Sequence, residues 1–185
     1  MKEKMVRQMD NKMTKWHVST AAEAIVAAQF ARCGWDVSVQ YGANQPEYDL
    51  MVSKGSNILK VSVKGSQDGS WGLTQGLLKK VGNTDYKKAA ESWLKMHSKC
   101  TVLCLVQFKD YKVNQMPYIC IATPEEVANQ LKKSKNNNGD SILHLNKFWS
   151  RGIADGTTDK IPTEWEFSEK RIQYLASKIN SNKCN

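Results

Sequence analysis

The sequence predicts an α/β domain, with a mixed central sheet flanked by helices and a core order of helix, three strands, helix, strand. Three observations lead there. The Ala-rich stretch AAEAIVAAQFA, residues 21–31, has the spacing of a helix that packs closely on a sheet. Two alternating arms, Tyr48-Asp49-Leu50-Met51-Val52 and Leu59-Lys60-Val61-Ser62-Val63-Lys64, flank a turn and read as a hairpin. TVLCLVQF, residues 101–108, is a continuous apolar run, the pattern of a strand covered on both faces.

The elements follow in order. Residues 1–15 are basic and polar and form an N-terminal arm. A helix is expected from Val18 to Cys33, stopped by Gly34. A strand from Trp35 to Tyr41 precedes the hairpin, whose arms span 47–53 and 58–65 around Gly55-Ser56. The Gly-, Gln- and Ser-rich stretch 66–82 holds one short strand near Trp71 and Leu73. A second helix runs from Asp85 to Met96 with Ala89, Ala90, Trp93 and Leu94 inward, and strands follow at 101–108 and 118–122. Thr123-Pro124-Glu125-Glu126 opens another helix with an N-cap, a proline at the first helical position and a capping-box glutamate. KKSKNNNGD, residues 132–140, reads as a loop; beyond it lie Ile142–Phe148 and a last helix from Ser168 to Ile179. The chain thus divides into the arm 1–15, a core domain 16–134, and a C-terminal helical extension 135–185 packed on the same domain.

A chain of 185 residues with 41% hydrophobic content is long enough for one domain with a real core. Its net charge of +9 favours a polyanionic partner, nucleic acid first, over charge kept only for solubility. Five cysteines without a CxxC pair argue against a secreted disulfide framework and for a reducing, cytoplasmic setting. Cys100, Cys104 and Cys120 fall in apolar strand-like segments, where buried thiols are expected. His97-x-x-Cys100 lacks a second ligand pair with zinc spacing. No apolar run is long enough to span a membrane, and none is expected to.

The chemistry concentrates on the hairpin. Leu50 and Val52 share one face with Leu59, Val61 and Val63, while Asp49, Ser62 and Lys64 share the other. A turn at Gly55-Ser56 sets Asp49 opposite Ser62 and Glu47 opposite Lys64. A carboxylate and a lysine then meet on one sheet face, just before the polar loop Gly65-Ser66-Gln67-Asp68-Gly69. Metal-dependent phosphodiester hydrolysis needs that grouping: hard oxygen ligands for Mg²⁺ and a fixed cation beside the scissile phosphate. Glu23 has two readings. Thr20-Ala21-Ala22-Glu23 is a capping box in which the glutamate serves the helix N-terminus. Glu23 also shares a stripe with Val26, Ala27 and Phe30, which turns it toward the sheet.

The stretch from about Thr20 to Gln67, with its helix glutamate, Tyr48-Asp49-Leu50 and Val61-Ser62-Val63-Lys64, resembles the PD-(D/E)xK nuclease superfamily, also called restriction-endonuclease-like. It is most similar to the branch that includes intron-encoded homing endonucleases. The resemblance implies a restriction-endonuclease-like αβββαβ core and a metal-dependent DNA endonuclease using Mg²⁺ or Mn²⁺. It implies Asp49 as the metal-binding aspartate, Lys64 as the lysine that orients water and stabilises charge, Glu23 as the helix glutamate, and the Val63 carbonyl facing the metal. Ser62 stands where the family usually has Glu or Asp. Serine is a weak, neutral ligand, so Glu47 is the expected substitute. The alternative is a nuclease-fold protein that binds nucleic acid or a protein partner without cutting.

Lys79, Lys80, Lys87 and Lys88 are candidate phosphate contacts, as are Lys132, Lys133 and Lys135, with Ser66 and Gln67 beside the site. Trp71 is a candidate for base stacking or for the core, and His17 for a phosphate contact or a cap. A homo-oligomer would suit cleavage of both DNA strands, since one site cuts one strand.

Overall fold

The computed structural model describes residues 12–40, 47–78 and 85–181. Most of the basic arm, together with Tyr41, Lys79 and Lys80, lies outside these residues.

The chain forms α1 (Lys15–Arg32), β1 (Asp36–Val39), β2 (Leu50–Lys54), β3 (Asn57–Ser66), β4 (Ser70–Gly72), a single-turn α2 (Gln75–Leu78) and α3 (Tyr86–Leu94). It continues through β5 (Thr101–Gln107), β6 (Tyr118–Ala122), α4 (Pro124–Asn137), β7 (Ile142–His144), β8 (Asn146–Phe148), β9 (Thr158–Lys160) and α5 (Glu169–Ser181). The central sheet has the order β1-β2-β3-β5-β6. Only β3 and β5 run parallel; the other neighbours are antiparallel. Parallel neighbours need a crossover, and here β4, α2 and α3 supply it.

The expected hairpin register is present. Leu50 pairs with Val61, Val52 with Leu59 and Lys54 with Asn57, around Gly55 at φ 61°. Because side chains alternate along a strand, this register sends Leu50, Val52, Leu59, Val61 and Val63 into one core layer. There they meet Ala22, Val26 and Phe30 of α1, and Ile172, Leu175 and Ile179 of α5. The opposite sheet face, through Leu103, Leu105, Cys120 and Ala122, packs on Trp93 of α3, on Val127 and Leu131 of α4, and on Leu143, Ile161 and Trp165. All seven residues of β5 are buried, as an apolar strand between two helical layers requires. The C-terminal segment therefore supplies core residues to both layers. Burying one side chain the size of Phe30 contributes about 1.5–3 kcal/mol.

Several boundaries differ from expectation. α1 begins at Lys15, because Thr14 is its cap: Thr14 Oγ1 accepts the His17 N–H at 3.2 Å, and His17 Nδ1 accepts the Thr14 N–H at 3.4 Å. Thr20-Ala21-Ala22-Glu23 is thus mid-helix and not a capping box. β2 begins only at Leu50, leaving Glu47, Tyr48 and Asp49 outside it. α4 has the predicted Thr123 cap and Pro124 start, and loses helical geometry at Ser134, Lys135 and Asn136, inside the expected loop. The short pairings β4–β7 and β8–β9 lie in segments where the sequence has little period to read. Cys104 and Cys120 are buried free thiols, and burial pushes the Cys120 thiol up to about 12. Cys100 is disulfide-bonded, contrary to the expected free thiol.

Candidate functional site

The site lies where β2 starts and the chain leaves its line. Asp49, one residue before β2, still donates its backbone N–H to Val61 O at 2.9 Å. Its side chain turns along the β3 edge, and Oδ2 accepts the Val63 N–H at 2.6 Å. A strand residue presents its N–H and C=O to the same edge, so the Val63 carbonyl also belongs to this edge. The Lys64 Nζ is 4.0 Å from Asp49 Oδ2, with the lysine side chain 44% exposed and the aspartate 13%. A pair so open and so long adds little to stability; the ammonium is held loosely and projects into the adjoining cleft.

That cleft encloses about 560 Å³ and is lined by Asp49, Lys64 and Val63 from the sheet and by Lys15, Ser19 and Glu23 from α1. Gly65 makes the approach of the helix possible. A Cβ at this position would lie 2.7 Å from Val18 Cγ1 and 2.8 Å from the Val18 carbonyl. Glu23 does not serve the helix terminus: its Oε1 accepts from Ser19 Oγ at 2.9 Å on the cleft wall. Glu23 on α1 and Asp49 on the sheet thus face the same space.

The far wall is the loop after β3. Ser66 Oγ, Ser70 Oγ and the Ser70 N–H all donate to Asp68 Oδ1, at 2.9–3.0 Å. Burial pushes the Asp68 carboxyl up, but the hydrogen bonds from Ser70 and Ser66 outweigh it and hold it below the usual carboxylate range. Gln67 reaches back, its Nε2 donating to Met13 O at 2.8 Å. Trp71 is buried, and its indole N–H donates to the Lys64 carbonyl at 2.9 Å. It is therefore not a base-stacking residue but the support beneath Lys64. Asp68, Lys15 and this role of Trp71 escaped the sequence reading; the alternation Ser66-x-Asp68-x-Ser70, a pattern of short polar residues that bond their own backbone, is the signal for the first of them.

Two expected participants are elsewhere. Ser62 shares a sheet face with Lys64 and is 1% exposed, but it does not line the cleft. Glu47 does not stand opposite Lys64. Its Oε1 accepts from Thr101 Oγ1 at 2.7 Å and its Oε2 from the Ser98 N–H at 2.9 Å. Thr101 pairs with Lys60, two repeats of the pleat away from Lys64, and the Lys60 ammonium lies 5.3 Å over the Tyr48 ring. The register fails to extend because the chain leaves β2 before these residues. Both Glu47 oxygens are committed, so the carboxylate does not replace the missing acid at position 62.

Lys87 and Lys88 are exposed on α3 and do not line the cleft. Lys135 is tied down by Asp140 Oδ2 at 3.2 Å and by the rings of Tyr86 and Trp149. Lys79 and Lys80 are outside the described residues.

For a hard divalent cation the cleft offers Asp49, the Val63 carbonyl and Glu23, an all-oxygen set of the kind Mg²⁺ and Mn²⁺ take alongside several waters. Among the described residues no group of three His, Cys, Asp or Glu side chains converges on a single point. Water would thus fill more of the coordination sphere than in a carboxylate-rich site. A second concavity, of about 630 Å³, lies near Ser98 and Thr123 toward the other end of the parallel strand pair. It is lined by Lys95, Lys99 and Lys178 together with Glu125.

No protein-family model matches the chain, and no curated protein matches it. Among the described residues no helix is long and apolar enough to cross a membrane.

Proposed function

We propose that the protein is a metal-dependent DNA endonuclease of the PD-(D/E)xK type, hydrolysing phosphodiester bonds in this cleft. The observation that carries the reading is the convergence of Glu23 from α1, Asp49 from just before β2 and Lys64 from β3 on one cleft. The element order, with a helix ahead of three strands and a parallel fifth strand reached through a helix, accords with a restriction-endonuclease-like core.

Asp49, the Val63 carbonyl and, through water, Glu23 would hold Mg²⁺ or Mn²⁺. The ion, when bound, would neutralise phosphate charge and lower the pKa of a water molecule. Lys64 does the remaining electrostatic work: its loosely paired ammonium can follow the phosphate oxygens as negative charge builds on them. Glu23, hydrogen-bonded to Ser19, is fixed on the opposite wall to receive a proton or orient water. Lys15 adds a positive charge on the substrate side.

A second reading is that the fold binds DNA without cutting it. Ser62 favours this, since it is buried outside the cleft and the carboxylate expected there has no replacement in Glu47. One experiment separates the two: cleavage of supercoiled, linear and branched DNA in Mg²⁺ and in Mn²⁺, with Asp49→Ala and Lys64→Ala alongside. Metal-dependent cutting that falls by at least about a hundredfold in both variants supports the nuclease. Retained DNA binding with no cutting by the native protein supports the second reading. Cutting that survives both substitutions rejects this site.

A further inference from the structure

Six tryptophans are present, and all fall within the described residues. Trp35, Trp71, Trp93 and Trp165 are buried and Trp149 is half-buried, whereas Trp16 is 70% exposed. Scattered surface hydrophobics are ordinary, but Trp16 differs in its setting. It lies in the first turn of α1, next to Lys15, whose side chain lines the cleft, and close to the exposed Lys12. The turn that carries it is fixed by three contacts. Thr14 and His17 cap it reciprocally, Gln67 anchors the Met13 carbonyl, and the His17 ring meets the indole edge-on with centroids 5.5 Å apart. The other strongly exposed aromatic rings are placed differently: Phe148 is on β8, and Tyr174 is on α5 beside Arg171.

We infer that Trp16, with Lys12 and Lys15, forms a stacking shelf at the mouth of the cleft for an unpaired nucleobase, making single-stranded or branched DNA the preferred substrate. The inference rests on the proposed function for its DNA partner and extends it to substrate structure. An aromatic face binds the π-face of a base whatever its sequence. In a duplex both faces of each base are covered by neighbours, so an exposed indole gains most from a strand with unstacked bases. The flanking lysines supply the charge that a phosphate on either side of that base requires.

The test is binding without cleavage. Fluorescence anisotropy in EDTA at low salt would compare a labelled oligothymidylate with a duplex of equal length, for the native chain, Trp16→Ala and Trp16→Phe. The expected result is an oligothymidylate affinity lowered about tenfold in Trp16→Ala and largely restored in Trp16→Phe, with duplex affinity changed less than about twofold. Circular dichroism melting should be the same for all three, since the side chain is outside the core. Equal weakening on both DNAs, no weakening on the single strand, or failure of the native chain to bind the single strand would each overturn the shelf. With metal absent, these outcomes are independent of whether the protein cuts. A failed nuclease reading shows in the cleavage assay, and a failed shelf shows here.

Discussion

Asp49 accepts the Val63 N–H through Oδ2 and lines the cleft, so one side chain both serves the edge of β3 and borders the space open to a ligand. Trp71 adds a contact at the next residue of β3. Its indole N–H satisfies the Lys64 carbonyl from below, where β3 passes under the loop 66–70. Trp71→Phe keeps most of the apolar volume and removes this second donor, while the β3–β5 ladder still serves the carbonyl. The expected loss is about 0.5–1.5 kcal/mol, read as a lower urea midpoint with an unchanged slope. If the cleft is catalytic, cleavage in Trp71→Phe should fall more than DNA affinity does, because Lys64 shifts while the basic surface remains. Sequence identifies Asp49 and Lys64 readily, since an aspartate and a lysine on the same face of an alternating hairpin stand out against the apolar face. It does not say which tryptophan is buried. Trp16 and Trp71 both neighbour polar residues, and only the tertiary path of the loop after β3 decides that Trp71 goes inside and Trp16 stays out.

Among the elements, the contact between α1 and β3 sets the width of the cleft. Val18 and Ala22 press on Gly65, whose missing side chain is the space they occupy. Gly65→Ala must push the helix outward, since one of the clashing atoms is backbone. The expected cost is about 1–3 kcal/mol, measured as a lowered thermal midpoint; if the cleft holds a metal, Mn²⁺ binding by calorimetry should weaken as Glu23 moves away from Asp49. Helix α1, the β2–β3 register, the doubly buried β5 and the Thr123-Pro124 start of α4 were all legible, because each has a strong period or a local capping signal. The true start of α1 was not, because Thr14 and Thr20 offer competing caps and the reciprocal Thr14–His17 bonds form at the first of them. β2 is also shorter than its alternation suggests. Glu47 and Tyr48 fit the alternation, but the bonds from Glu47 to Ser98 and Thr101 are non-local and draw the chain off the strand.

Across the molecule, α4 and α5 are joined by one strong polar contact. Arg171 Nη2 lies 2.8 and 2.7 Å from the two Glu126 oxygens, and Arg171 Nε donates to the Ile121 carbonyl at 3.2 Å. Glu126 also accepts from the Thr123 backbone and so belongs to the α4 cap. Burial pushes the Glu126 carboxyl up, but Arg171 and Thr123 outweigh it and hold it below its ordinary value near 4.5. A carboxylate depressed in the folded state contributes stability above its unfolded pKa and loses it as pH falls through the folded one. Glu126→Gln should therefore cost about 3 kcal/mol near neutral pH, and its difference from the native chain should shrink steadily below about pH 4.5. Urea unfolding across that range checks both the size and the sign. The C-terminal region was the least legible part at this scale: the sequence marks α5 by its apolar stripe, but contains no sign that α5 joins one core layer while Leu143, Ile161 and Trp165 join the other.

Helix α1 is secured at both ends by the polypeptide it covers. Gln67 holds the Met13 carbonyl just ahead of it, and the Lys54 ammonium, at the tip of the hairpin, holds the Cys33 carbonyl at its close, 2.8 Å away. These two ties, with the close packing of α1 on Gly65, hold the wall bearing Ser19 and Glu23 against the strands that carry Asp49 and Lys64. If the cleft is catalytic, a ligand entering it meets Glu23, Asp49 and Lys64 already positioned by the folded chain.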